Sequence, residues 1–217
     1  MSSAASWRNN LVRQNGGFWG DPYLYELQLE KRLPLAQAML QHLLFALPPC
    51  GKKHVLDLCA GSGRVASAVL RAYPTAILKL VDASQERLTM ARRHLREHSI
   101  TVCVQELTPS ESLQFGTDES MDVVVACLAY HVLVESPRHY VQEVDTGLTV
   151  EEKYKLLFQA TWRVLRPGGH VVFGDHVGQL ALFTQLEILK SVGFEDVDCA
   201  WRVDDSFVAG GRKPLVQ

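Results

Sequence analysis

After residue 50 the chain alternates short, near-continuous apolar runs with stretches whose apolar residues recur every three to four positions. The first kind predicts strands near 53–58, 76–81, 100–105, 121–127 and 169–175, each rich in Val, Ile, Leu or Cys. Because these runs do not alternate with polar residues, the sheet they form is expected to be covered on both faces. The second kind predicts helices over 64–72, 84–97 and 150–165. Ser84 stands where an N-cap would, and Thr149 with Glu152 has the spacing of a capping box. RPGG at 166–169 ends the third helix, since Pro167 cannot continue one and the glycines allow a tight turn. Strands and helices in alternation are the signature of βαβ units and a parallel sheet.

The two ends break this pattern. LALFTQLEILKSVGF predicts a helix closed by Gly193, and EDVDCAW and SFVAGG then read as two strands around Asp204 and Asp205, an antiparallel hairpin. Before the sheet, residues 22–46 carry helical spacing through Leu29, Leu33, Leu40 and Leu44, with Pro34 at a helix start or kink. The expectation is one domain: an N-terminal arm and helical lid over 1–50, and an α/β Rossmann-like core over 51–217. The core is a seven-stranded, mostly parallel sheet with helices on both faces and the hairpin at its C-terminal end.

Composition narrows the function. The 217 residues are 47% hydrophobic, enough for the core of one domain. A net charge of -2 offers no basic excess for a phosphate backbone, so the expected partner is a small-molecule acceptor, not nucleic acid. The five cysteines include no C-x-x-C pair and fall mostly in apolar runs, which predicts reduced thiols, no disulfide framework and no metal site. No apolar run approaches a membrane span and the N-terminus lacks a secretory core, so a cytoplasmic location is expected. MSSAASWRNNLVRQNGG, with Arg8, Arg13 and no acid before Asp21, also has the composition of an organellar transit segment; an arm or lid is the favoured reading.

The chemistry begins at VLDLCAGSGR, residues 55–64, where an apolar strand ends in Asp57 and passes into a turn almost bare of side chains. In an open α/β sheet the ligand lies beyond the carboxyl ends of the strands, and glycines there let backbone approach it closely. Gly61 and Gly63 occupy that place. Asp57 can accept hydrogen bonds from a ligand ammonium or from the turn itself. The second strand ends in Asp82, 19 residues beyond Gly63, the distance of a carboxylate that grips both hydroxyls of a ribose. A ligand containing a nucleoside is expected.

These residues resemble the class I S-adenosylmethionine-dependent methyltransferases, and the resemblance runs from Val55 to Gly211. DLCAGSG looks like that family's first motif with Cys59 in place of a glycine, MDVVVACLAYHVL like its fourth motif, and WRVLRPGGHVVFGD like the turn and strand that follow. The resemblance implies S-adenosylmethionine as cofactor. Asp57, Gly61 and Gly63 would surround its amino acid part, Asp82 its ribose, and Glu106 with Leu107 its adenine, with Cys59, Ala60, Ala83 and Leu128 also cofactor-binding. VQELTPSESLQF lacks the usual Gly-Asp before the adenine contact.

Methyl transfer is an in-line displacement in which positioning does most of the work, and a base helps when the acceptor carries a proton. His131, after the fourth strand, and Asp175 with His176, at the end of the fifth, fall on the ligand side of the sheet by strand direction. They are the candidates for base and orienting acid; capping and backbone hydrogen bonding remain the alternative. Tyr130 and the aromatic group Phe18, Trp19, Tyr23 and Tyr25 are candidates for substrate contact or lid, with ordinary packing as the alternative. His94 and His98 sit in RRHLREH, a charged solvent face. A nucleic-acid or protein methyltransferase on the same fold, a nicotinamide-dependent dehydrogenase and a cofactor-binding protein of changed reaction stay as alternatives. LAYH replaces the N-P-P-Y-type motif of base methylators, and the G-x-G-x-x-G spacing of the dehydrogenases is present only in a weakened form.

Overall fold

The computed structural model describes residues 31, 33–135 and 147–215. In chain order they form α1 (Ala36–Ala46), β1 (His54–Leu58), α2 (Arg64–Ala72), β2 (Ile77–Asp82), α3 (Gln85–His94), β3 (Ile100–Val104) and β4 (Met121–Cys127). Then follow α4 (Tyr130–Glu135), α5 (Val150–Val164), β5 (Leu165–His176), α6 (Leu182–Val192), β6 (Glu195–Val203) and β7 (Ser206–Arg212). The strands make one seven-stranded sheet in the order β3-β2-β1-β4-β5-β7-β6. β1 to β5 pair in parallel and the β6–β7 hairpin joins β5 antiparallel.

The two-residue period of each strand divides the core. Val55, Val123, Val125, Val172 and Val208 face α1, α2 and α3; Leu56, Val124, Ala126, Phe173 and Phe207 face α4, α5 and α6. Both faces are therefore apolar, which is why the strands read as unbroken apolar runs. The order reverses at β1, whose neighbours β2 and β4 lead away in opposite directions, so the loops leaving β1 and β4 diverge and open a cleft at their carboxyl ends.

Three boundaries differ from the expectation. β5 begins at Leu165, because RPGG does not stop in a turn: Leu165 already pairs with Met121, and the register slips before Val123 meets His170. α3 ends at His94, three residues early, and α4 is a six-residue helix that its length kept below the periodic signal. Only the end of the predicted 22–46 helical stretch, α1, lies within the described residues. At the far side of the sheet, β6 is an edge strand with two register shifts and the exposed acids Glu195, Asp196 and Asp198. Among the described residues no helix is long and apolar enough to cross a membrane.

The capping box is formed as expected: Thr149 Oγ1 accepts from the Glu152 amide at 3.2 Å and Glu152 Oε2 accepts from the Thr149 amide at 2.7 Å. Thr149→Ala removes one acceptor from the first turn of α5 and should lower stability by about 1 kcal/mol, measured by urea unfolding.

Candidate active site

The cleft at the carboxyl ends of β1 and β4 is built by three strand-ending aspartates. Asp57 shares the β1 face that looks toward α2, and its Oδ2 accepts from the Ala66 amide at 3.1 Å, so of its two expected partners the turn side is the one engaged. Asp82 ends β2 with Oδ2 accepting from the Gly61 amide at 2.9 Å and Oδ1 from the Ser84 amide at 2.8 Å. It joins the glycine loop of β1 to the N-cap of α3, and each oxygen keeps a second lone pair for a ligand hydroxyl.

The two glycines do different things. At Gly61, φ is +54° and an added Cβ would meet nothing within 4 Å, so its surroundings are open. At Gly63, φ is +85° and a Cβ would stand 3.1 Å from Ala91 Cβ and 3.2 Å from Leu95 Cδ1. The space at Gly63 belongs to α3, not to a ligand, and this corrects the expectation that both glycines admit one. Cys59 takes a left-handed φ of +54°, the conformation that favours glycine at this point. Burial first, then the neighbouring carboxylates Asp82, Asp57 and Asp175, push its thiol well above the usual range, so it is an inert side chain. Ala83 and Glu106 are exposed beyond β2 and β3, while Leu107 and Leu128 are buried.

The second cluster lies at the ends of β4 and β5. Asp175, 1% exposed, accepts from the His131 amide at 3.0 Å and the His176 amide at 2.8 Å, and its Oδ1 also pairs with His131 Nδ1. Burial works to raise the Asp175 carboxyl, but the charge of His131 and these hydrogen bonds outweigh it and hold the group below its ordinary value. When the His131 ring is neutral, an ionised carboxylate at Nδ1 keeps the proton on that nitrogen and leaves Nε2 as the accepting atom. The His131 and His176 rings meet edge to face at 5.5 Å. Burial and the charge of His131 hold His176 below its ordinary value, against the pull of Asp175 and Asp205. Asp205 and Ser206, from the hairpin turn, stand 3.6 and 3.4 Å from His176 Nδ1.

The three catalytic candidates are thus together, and Asp205 and Ser206 are neighbours that strand order alone did not reveal. Tyr130 is a correction: it is fully buried among Phe158 and Phe173, its hydroxyl 3.0 Å from Thr161 Oγ1, and it is a core residue, not a substrate contact. His94 lies on the solvent face as expected, yet its Nδ1 is 3.3 Å from the Ser62 carbonyl oxygen of the glycine loop. Phe18, Trp19, Tyr23 and Tyr25 lie outside the described residues.

Burial lifts the Asp57 carboxyl to about 8, the Ala66 amide opposing and Asp82 adding to the rise. The unfolded chain releases this proton near 4. A group whose folded value is raised contributes stability that is complete below about pH 4 and lost as the pH climbs toward 8. From this group alone the ligand-free protein should lose up to about 1.4 kcal/mol per pH unit across that window. Asp57→Asn should flatten the profile, as followed by urea unfolding at pH 5, 6.5 and 8; equal slopes in the two proteins would contradict the assignment.

Residues 55–169, just over half of the chain, match the methyltransferase-domain family model. The chain is 29% identical over 216 residues to a release factor glutamine methyltransferase of Caulobacter vibrioides, covering 92% of this chain and 71% of that one. It is 25% identical over 142 residues to ribosomal RNA small subunit methyltransferase B of Salmonella arizonae, covering 63% of this chain and 33% of the relative. The chain therefore spans about a third of the length of that ribosomal RNA enzyme. A Haloferax volcanii methyltransferase solved in complex with the Trm112 activator matches with a TM-score of 0.59, at 17% identity over 88% of this chain and 94% of that one, a likeness of fold.

These relatives correct the expectation of a small-molecule acceptor with no nucleic acid: two are named for release factor and ribosomal RNA. The family match covers Asp57, the glycine loop, Asp82, His131 and the strands through β4, while Asp175 and His176 lie beyond it. This chain belongs to the methyltransferase-domain family, the class I S-adenosylmethionine-dependent methyltransferases, and S-adenosylmethionine is its cofactor.

Proposed function

We propose that this chain methylates an acceptor atom that carries a proton, with His131 receiving that proton and Asp175 orienting the ring. The observation that carries the reading is the buried carboxylate that holds His131 by both its amide and Nδ1. Bound S-adenosylmethionine supplies an activated methyl on a positively charged sulfur. The residues fit such a group: open space at Gly61, a carboxylate at the end of β2, and an Asp57 oxygen that is buried with no hydrogen-bond partner. Cys59 to Gly61 would line the amino acid part, Asp82 and Ala83 the ribose, and Glu106 with Leu107 the adenine.

The chain's own part is positional. Asp175 keeps the Nδ1 proton of His131 in place so that Nε2 takes the acceptor's proton, and His176 stays neutral beside it, which avoids two cations on one carboxylate. The acceptor is sought first among macromolecules. Relatives named for a release factor and for ribosomal RNA support that choice, and LAYH in place of an N-P-P-Y-type motif speaks against an exocyclic base nitrogen. Tritium-labelled S-adenosylmethionine incubated with the protein and separated protein and RNA fractions of a cell extract tests it. Label that protease or ribonuclease releases names the acceptor class; label in neither overturns it.

Two variants test the division of labour. Asp82→Ala removes the ribose acceptor and the tie to Gly61, so the dissociation constant for S-adenosylmethionine should rise about 10- to 100-fold by calorimetry. His131→Ala should lower turnover about 100-fold or more with cofactor affinity within about twofold of the parent.

A further inference from the structure

The outward face of α3 and the turn after it carry positive charge that the chain does not neutralise. Leu88, Ala91 and Leu95 turn into the core, which leaves Arg92, Arg93, His94, Arg96 and His98 exposed on the other side. Across residues 85–98 the arginines 87, 92, 93 and 96 stand against Glu86 and Glu97 alone. Lys53, Arg166, Lys190, Arg212 and Lys213 each meet a carboxylate. Among the described residues Arg92, Arg93 and Arg96 meet none. Part of this is ordinary, since basic groups in a last turn favour the helix dipole, a partial charge of about half a unit. Three guanidiniums exceed that need. Arg92 and Arg96 are i,i+4 neighbours whose like charges repel, and Arg96 lies past the end of the helix at His94. An anionic partner would relieve that repulsion.

We propose that this face of α3 docks the phosphate backbone of an RNA acceptor beside the cleft. The proposal rests on the reading above, in which the acceptor is a macromolecule, and names its class. Guanidinium forks bind phosphate oxygens in pairs, and heads one helical turn apart, roughly 6 Å, match the step between neighbouring phosphates of a strand. A folded protein partner would want an apolar centre, and none of the exposed large apolar side chains lies on α3. The placement suits an acceptor as well. Ser84, the N-cap of α3, is tied to Asp82 at the rim of the cleft, and Arg92 stands roughly 12 Å along the helix from that cap. The inner side of α3 packs against Gly63 through Ala91 and Leu95. A strand held on the outer side brings its adjoining nucleotides to the cleft and leaves the chemistry to His131. The other edge of the sheet does the reverse. α3 packs on β2 and the edge strand β3, whereas β6 is the opposite edge, and residues 195–212 carry five acids against Arg202 and Arg212. Net charge sums the two edges and hides both.

The test measures binding without methyl transfer. A fluorescein-labelled single-stranded RNA of mixed sequence, about 20 nucleotides long, is titrated with the full chain and followed by anisotropy at about 50 and about 200 mM salt. Three phosphate contacts on a single strand predict a dissociation constant that rises about 20-fold between the two salts. With Arg92→Gln, Arg93→Gln and Arg96→Gln combined, the constant at the lower salt should rise about tenfold or more and its salt dependence should shrink to about threefold or less. Lys52→Gln, Lys155→Gln and Lys190→Gln combined remove the same charge from other faces and should bind as the parent does. The three arginines are exposed, so the variant keeps its fold, which circular dichroism checks. No RNA binding at the lower salt, equal losses in the two triple variants, or polyglutamate of similar length competing as well as unlabelled RNA would each overturn the proposal. A chain that labels protein and binds no RNA would refute it and leave the macromolecular acceptor standing. Binding through these arginines with label in neither fraction would instead overturn the acceptor reading and leave the docking face.

Discussion

Every element around the cleft is held by a carboxylate at the end of a parallel strand that accepts backbone amides from the segment after it or beside it. Asp57 takes the first turn of α2, Asp82 takes Gly61 and Ser84, and Asp175 takes His131 and His176. Amides at the starts of helices and in tight loops have no partner within their own element, and these three side chains supply one. The cost is three acids in a small apolar volume. The protein meets it differently at each: Asp175 gains His131, Asp82 gains two amides, and Asp57 keeps its proton. Scaffold and chemistry are thereby the same set of atoms.

The parallel sheet, its helices and the hairpin were legible because strands buried on both faces leave continuous apolar runs that few other structures produce. The placement of Asp57, Asp82 and the His131–Asp175–His176 cluster was legible for a related reason: strand direction alone assigns residues to the carboxyl end. What could not be read were relations between segments distant in sequence. Gly63 looks like a ligand glycine, and only the docking of Ala91 and Leu95 makes it a helix-packing one. Tyr130 sits beside His131 in the chain, yet the start of α4 turns it into the aromatic core while His131 stays with Asp175. β5 starts early because Met121 offers a partner to Leu165, a pairing no local rule for RPGG contains. The acceptor class went astray for another reason: net charge describes a whole surface, and a binding partner meets only part of it.

The hairpin is more than an ending to the sheet. Its turn brings Asp205 and Ser206 to His176, and the Asp205 carbonyl takes the Val177 amide at 2.8 Å, so the last two strands close the side of the cleft that β4 and β5 open. The 29 residues between Asp175 and Asp205 carry no periodic sign of this contact; it follows from β7 running antiparallel to β5, with Asp175 opposite Phe207 and His176 opposite Ser206.

β6, outermost on that side, has two slips in its pairing and a row of acids facing water. A flat, neutral rim there would present unpaired amides and carbonyls to any extended chain it met, in the crowded state of a nascent polypeptide most of all. Bulges twist that rim out of plane, and Glu195 and Asp196, paired with Arg212, together with Asp198 keep it charged and hydrated where an extended chain would have to dock. The sheet therefore stops growing at seven strands, and the same residues that make β6 a poor strand by propensity guard the molecule against self-templated aggregation.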